Sequence, residues 1–206
     1  GYPGMLGGQA IAETIFGQNN PSGRLTTTFY PESFARSISM LDMRLHPDTK
    51  GFPGRGYRFH NGEVVLPFGF GLSYSSFKLS LESKDTSNGK ITINVNVENS
   101  ATVPGATVVL AFLVPPAKAV ELGQHGDLRR RLLSFPVRTT ELSPGESFIA
   151  TFTVDIAQDL VVFPTDDSTN AEKVPIEPKV KDRDTRWTLQ VGGEDPVRNP
   201  AIVLSL

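Results

Sequence analysis

Four carboxylates lie in the first 50 residues, Glu13, Glu32, Asp42 and Asp48. Carboxylates do acid–base or nucleophilic work in pairs whose surroundings push their pKa values apart. No motif here pairs any two of these four. Glu13 falls on the polar side of a helical pattern, where a solvated residue is expected. Asp42, between Met40 and Met43, has no visible carboxylate partner and is expected to make structural hydrogen bonds. The histidines His46, His60 and His125 are scattered, whereas zinc ligands cluster, so no metal site is expected. Gly71-Leu72-Ser73-Tyr74-Ser75 is one glycine short of a nucleophile elbow and lacks its strand–turn–helix setting, so it reads as a glycine bend. Gly4-Met5-Leu6-Gly7-Gly8 and Gly69-Phe70-Gly71 both fail the phosphate-binding and dinucleotide patterns, and no cofactor is expected. Arg129-Arg130-Arg131 would make an anion patch only on a shared face. Alternation at a strand start sets Arg130 opposite its neighbours, and a solvated edge strand that resists aggregation is the expectation.

Composition narrows the classes further. At 206 residues the chain is long enough for one large or two small cores. Gly 19 and Pro 16 imply many turns, hence β structure. A formal net charge of −2 gives no electrostatic case for nucleic acid or an anionic membrane as partner. There is no run of roughly 18 apolar residues to span a bilayer. Cys 0 excludes disulfides, thiol catalysis and thiolate metal sites. Pro21 vetoes the sequon-like Asn20. Gly1-Tyr2-Pro3-Gly4 is not an initiation sequence and has no leader-like apolar core, so the chain is expected to be a piece of a longer protein.

The elements that would position any site fall into three stretches. In residues 1–30, Ile11, Ala12, Ile15 and Phe16 make a helical face that Gly17 would stop. Asn19-Asn20-Pro21-Ser22-Gly23 is a turn cluster, and residues 25–30, β-branched and aromatic, predict a strand. One helix and one strand cannot enclose a core, so they predict the edge of a larger α/β layer. Residues 31–76 form a strap of glycines, prolines and aromatics that hardly reads as helix. Pro fixes φ and each ring buries a large apolar area, so this is a shaped ribbon, with Tyr57 and Phe70 expected as buried anchors.

Residues 77–206 read as strands. Ile91, Ile93, Val95 and Val97 alternate with Thr92, Asn94, Asn96 and Glu98, and Phe148, Ala150, Phe152 and Val154 make a second such face. Residues 107–114 are apolar at nearly every position, which predicts a strand covered on both faces, its outer cover being a neighbouring domain. With residues 187–191 and 201–206 there are about seven strands, the number of an immunoglobulin-like sandwich. Residues 164–185, charged and proline-rich, predict a protruding loop.

Several of these runs carry a family resemblance. Arg55-Gly56-Tyr57-Arg58-Phe59 and the run from Pro67-Phe68-Gly69-Phe70-Gly71-Leu72 to Phe77 resemble the connection in family 3 glycoside hydrolases between their second catalytic domain and a fibronectin type III-like domain. Asn20-Pro21-Ser22-Gly23-Arg24-Leu25, Leu142-Ser143-Pro144-Gly145-Glu146-Ser147 and Trp187 to Gly192 are similar to other positions of that family. Met40-Leu41-Asp42-Met43-Arg44-Leu45-His46-Pro47 resembles the β-xylosidase branch, while Gly71-Leu72-Ser73-Tyr74 is more like the β-glucosidase branch. Met5 and Leu6 stand where the family often has a glutamine loop, so the resemblance carries no sugar contact there.

The resemblance implies a mainly β fold, a fibronectin type III-like sandwich preceded by the terminal helix and strand of an α/β sandwich domain. It implies a retaining exo-acting glycosidase as parent, secreted, acting on oligosaccharides with terminal β-linked xylose or glucose. That reaction needs two carboxyl groups roughly 5 Å apart. The family's Asp nucleophile and Glu acid/base belong to motifs expected upstream of Gly1, so no catalytic residue is assigned to this chain. The other reading is a stand-alone, non-catalytic sandwich that binds carbohydrate or protein. A carbohydrate-binding face should line up exposed aromatics, whereas here they concentrate in the strap.

Overall fold

The helical face near the start forms α1 (Gly7–Ile15) in the computed structural model, which describes residues 3–48, 50–116, 128–162, 174–175, 186–193 and 201–206. The helix stops where the Phe16 N–H bonds the Ala12 carbonyl and Gly17 turns to φ +74°, a conformation glycine takes without penalty. Ile11, Ile15 and Phe16 stay exposed, so the apolar face of α1 has no cover within the described residues.

The strand predicted for residues 25–30 contracts to a single bridge between Phe29 and Leu66. The strap itself offers the pairing groups. Leu25 exchanges hydrogen bonds with Phe70 and Gly69, and Phe29 does so with Leu66 and Val65. Pro67 lies between the two pairings and has no N–H, so they do not join into a ladder. Two helical turns also interrupt the strap, α2 (Glu32–Ser37) and α3 (Gly56–Phe59). One is supported locally and the other from a distance. Phe34 of α2 stacks on Tyr30 at 4.2 Å, and the Gly56 N–H at the start of α3 donates to the Tyr30 hydroxyl at 2.6 Å.

From Phe77 the chain is mainly β. In order come β1 (Phe77–Ser87), β2 (Lys90–Asn99), β3 (Val108–Val109), β4 (Ala111–Val114), β5 (Arg131–Leu132), β6 (Val137–Arg138) and β7 (Ser147–Asp155). A helical turn, α4 (Ile156–Asp159), follows, capped by the Asp155 carboxylate, and then β8 (Val161–Val162), β9 (Val174–Pro175), β10 (Thr188–Val191) and β11 (Ile202–Ser205). Antiparallel β1, β2 and β7 make one sheet, and β11, β10, β4 and β5 make the other. β3 with β6 and β8 with β9 form two further short pairs. The β1–β2 hairpin turns on Asn88-Gly89, both at positive φ, which matches the right-handed strand twist.

The alternation in β2 is realised as read: Ile91, Ile93, Val95 and Val97 are buried while their neighbours are half-covered. They meet Ala150, Phe152 and Val154 of β7 and, from the facing sheet, Ala111, Leu113, Leu189 and Val191 in one core that includes Trp187. Two antiparallel sheets interleaved over such a core are an immunoglobulin-like sandwich. The apolar run at residues 107–114 changes sheets midway, since β3 pairs with β6 and β4 with β10 and β5. Its burial on both faces is real, but the cover of Phe112 is the strap of this same chain, with the rings of Tyr57 and Phe68 against it. The expected loop over residues 164–185 lies, apart from β9, outside the described residues.

Candidate functional site

The joint where the first 30 residues, the strap and the sandwich meet is built on two side chains in and just after the turn cluster. The Asn20 amide donates to Ser75 Oγ and to the Pro104 carbonyl, both at 2.8 Å. Its oxygen accepts from Ser73 Oγ and the Tyr74 N–H, both at 2.9 Å. Four residues on, the Arg24 guanidinium donates to Thr107 Oγ1 at 2.6 Å and to the Gly71 carbonyl at 3.1 Å. Both side chains therefore touch strap and sandwich at once. Two glycines make the approach possible. A Cβ on Gly71 would collide with the Gly23 carbonyl, and one on Gly105 would stand 2.6 Å from Asn20 Nδ2 and Ser75 Oγ. This is the physical basis of the glycine bend at Gly71-Leu72-Ser73-Tyr74-Ser75. The sequence signal for Asn20 was the turn cluster, which Arg24 follows directly, and the pairing across 47 to 84 positions was not visible in it.

A second contact is aromatic. Tyr57 stacks on Phe68 at 4.3 Å, and both rings meet Phe112 of β4 edge-on at 5.8 and 6.3 Å. The ring partner of Tyr57 is thus Phe68, while Phe70 contributes its backbone carbonyl to Leu25. The arginine triplet corrects the expectation of a solvated edge at Arg130 and Arg131, while Arg129 stays exposed. β5 is an edge strand, yet Arg130 lies 4.2 Å over the Phe112 ring, Arg129 Nη1 donates to the His60 carbonyl, and Arg131 pairs with Asp159 beneath the Trp187 ring. Burial pulls Arg131 below the ordinary arginine value, with the Asp159 charge opposing. His60 is buried, with Nδ1 2.9 Å from the Gly54 carbonyl and Nε2 3.2 Å from that of Glu63. A groove of about 460 Å³ remains between strap and sandwich, beside Tyr57, His60, Phe68, Arg129 and Gln190.

The four sequence-level carboxylates do not converge on a reacting bond. Glu13 accepts from Gln9, and Glu32 pairs with Arg36, both on helix surfaces. Asp42 and Asp48 share one guanidinium: Arg44 lies 2.6 Å from Asp42 Oδ2 and 2.5 Å from Asp48 Oδ2. The Arg44 side chain and its backbone N–H hold Asp42 down at about 2. Asp48 is lowered as well, by the Phe52 N–H first and Arg44 second. A general acid must keep its proton near working pH, and these two groups are kept ionised. They serve instead as a fastener, since the Asp42 carbonyl also accepts from Arg55 at 2.9 Å. His46 packs on Phe59 at 4.1 Å, and His125 lies outside the described residues. Among the described residues no three His, Cys, Asp or Glu side chains gather around a common point.

Comparison with known proteins places this architecture. The model of the glycosyl hydrolase family 3 C-terminal domain matches residues 1–74, from α1 through the glycine bend. A β-xylosidase/α-L-arabinofuranosidase of Medicago sativa subsp. varia is 33% identical over 188 residues, covering 78% of this chain and 23% of that protein. β-D-xylosidase 3 of Arabidopsis thaliana is 32% identical over 209 residues, covering 85% of this chain and 26% of that protein. The chain belongs to glycoside hydrolase family 3. It corresponds to a C-terminal segment and spans about a quarter of the length of these curated relatives. Among solved family 3 structures, an exo-β-xylosidase bound to a xylobiose aziridine probe superposes with a TM-score of 0.71 at 24% identity, covering 100% of this chain and 27% of that one. A β-glucosidase from Streptomyces venezuelae in complex with D-glucose gives a TM-score of 0.61 at 25% identity, covering 97% of this chain and 25% of that one. The family 3 match ends at residue 74, and Asn20, Arg24 and Tyr57 all lie inside it.

Proposed function

We propose that this chain is the C-terminal part of a retaining, exo-acting glycosidase that releases terminal β-linked xylose from oligosaccharides, and that the segment itself is a brace. The observation that carries the reading is the joint. Asn20 and Arg24, inside the family-matched stretch, are hydrogen-bonded to both strap and sandwich, and the Tyr57–Phe68–Phe112 cluster ties strap to sandwich again. A sandwich fastened in this way stiffens whatever catalytic layer α1 belongs to. The organisation we propose is the edge of an α/β catalytic domain over residues 1–30, the strap over 31–76 and the fibronectin type III-like domain over 77–206.

Retaining hydrolysis requires a carboxylate nucleophile and a carboxylic acid that protonates the leaving oxygen, about 5 Å apart. Asp42 and Asp48 are both kept ionised, which rules out the acid, and both carboxylates are tied up by Arg44, which leaves neither free to attack. The Asp nucleophile and Glu acid/base are therefore assigned to domains outside this chain, and the chain alone is inactive. Xylose is preferred to glucose because residues 39–47 resemble the xylosidase branch and the curated relatives described above are named β-xylosidases. An extracellular parent belongs to the same reading, checked by looking for the protein in the secreted fraction.

The test is to assay the full-length protein on aryl β-xyloside and aryl β-glucoside and to follow the anomer released. Faster xyloside cleavage with a β-anomer as first product is expected. Turnover by the 206-residue chain alone, or none by the full-length protein, overturns the assignment.

A further inference from the structure

Residues 39–44 hold three large apolar side chains in water while Ser39, Asp42 and Arg44 between and beside them are fastened. Met40 is 95% exposed, Leu41 91% and Met43 82%. The segment is not slack. The Asp42 N–H bonds the Ser39 carbonyl at 3.0 Å, and Ser39 Oγ accepts from the Leu41 N–H at 3.2 Å. Asp42 takes the Arg44 backbone N–H at 3.1 Å as well as its guanidinium, which also reaches Asp48 and lies 4.8 Å from the Phe52 ring centre. Arg55 then anchors the Asp42 carbonyl, with its guanidinium over Phe34 and Phe52. A bend tied at this many points is a pre-shaped knob, and contiguous exposed apolar surface on a rigid support marks a contact site. Two of its three apolar side chains are methionines, which adapt to an irregular apolar hole.

We propose that this knob plugs into an apolar recess of the part of the same polypeptide that the relatives carry outside the matched quarter. The inference rests on the reading that the chain is part of a longer family 3 protein. Two observations select that occupant. The knob lies inside residues 1–74, so it belongs to the same family domain as α1, whose own apolar face is uncovered here. The relatives also extend over roughly four times the length aligned, which supplies the missing surface.

Methionine oxidation tests this without any substitution, because Met count is 3 and Met40 and Met43 are two of them. The full-length protein is treated with dilute peroxide, and sulfoxide at each position is followed by peptide mass spectrometry against the same protein in denaturant. Docking is expected to slow oxidation of Met40 and Met43 at least about tenfold, since susceptibility follows exposure. The protection should not change on dilution. Rates equal to those of the unfolded protein overturn the proposal, as does protection that disappears on dilution, which would assign the knob to a second copy. A Leu41→Cys variant labelled with maleimide, compared with Thr86→Cys on exposed β1, repeats the test by a second chemistry. Xyloside cleavage measured on the same sample keeps the two ideas apart: an active protein with unprotected methionines overturns the docking alone, and an inactive one with protected methionines overturns the glycosidase reading alone.

Discussion

Asn20 is the residue on which most of the joint converges, because a single amide there satisfies four partners drawn from strap and sandwich. An intramolecular hydrogen bond contributes about 1 kcal/mol net, and partners left unpaired cost more when partly buried. Asn20→Ala is therefore expected to cost about 2–3 kcal/mol, read as a drop in the thermal midpoint, while Glu32→Ala at an exposed pair costs under about 0.5 kcal/mol. Asp42 makes a different prediction. Its folded-state value of about 2 lies below the ordinary 3.8, so its tie to Arg44 is complete above 3.8 and is lost as pH falls through about 2. The amide of Arg44, bonded to Asp42 Oδ1, should then lose hydrogen-exchange protection across that window once intrinsic rates are divided out. Asp42→Asn should show no such step.

At the scale of elements, the strap and β4 depend on each other. Phe112 is buried outside the side-chain cluster of the sandwich core, and the rings of Tyr57 and Phe68 together with Arg130 pack against it. Truncating a buried phenylalanine costs about 3–5 kcal/mol, and a half-buried one less. Phe68→Ala is expected to lower stability by about 2 kcal/mol and Phe112→Ala by about 3–4 kcal/mol, with the double variant losing less than the sum because the two rings share one contact. Denaturant melts of the three proteins check this. Strict additivity would mean that strap and strand are energetically independent. The short pairing of residues 25–29 with the strap belongs to the same scale, since Pro67 limits it to separate bonds and leaves the side chains to hold the joint.

At the scale of the whole molecule, both sheets contribute side chains to a single cluster in the sandwich core, and Phe152 lies within it. Phe152→Ala should cost about 3–5 kcal/mol. If the sandwich braces the catalytic domains, that loss should also lower the temperature at which the full-length protein loses activity, in step with the unfolding of the sandwich. Activity that survives unchanged while the sandwich melts would separate the two.

Periodicity is a property of neighbouring residues, and what it could determine it did. Ile91 to Val97 and Phe148 to Val154 fell on the core face as their alternation required, and the face of Ile11, Ile15 and Phe16 formed a helix that ends at Gly17. The family was legible for a similar reason, since Pro67 to Phe77 is a contiguous run whose glycines and rings are needed where they stand. Residues 25–30 had strand-like composition but no continuous partner, and a strand exists only by pairing. Residues 56–59 looked non-helical, yet the Tyr30 hydroxyl, 26 positions away, steadies their turn. Phe112 and Arg130 showed apolar or charged character in the sequence, but only folding decided that the strap rings of Tyr57 and Phe68 would lie against Phe112 with Arg130 over it. Contacts across many tens of residues depend on where the backbone brings two segments, and composition at either end does not encode that meeting.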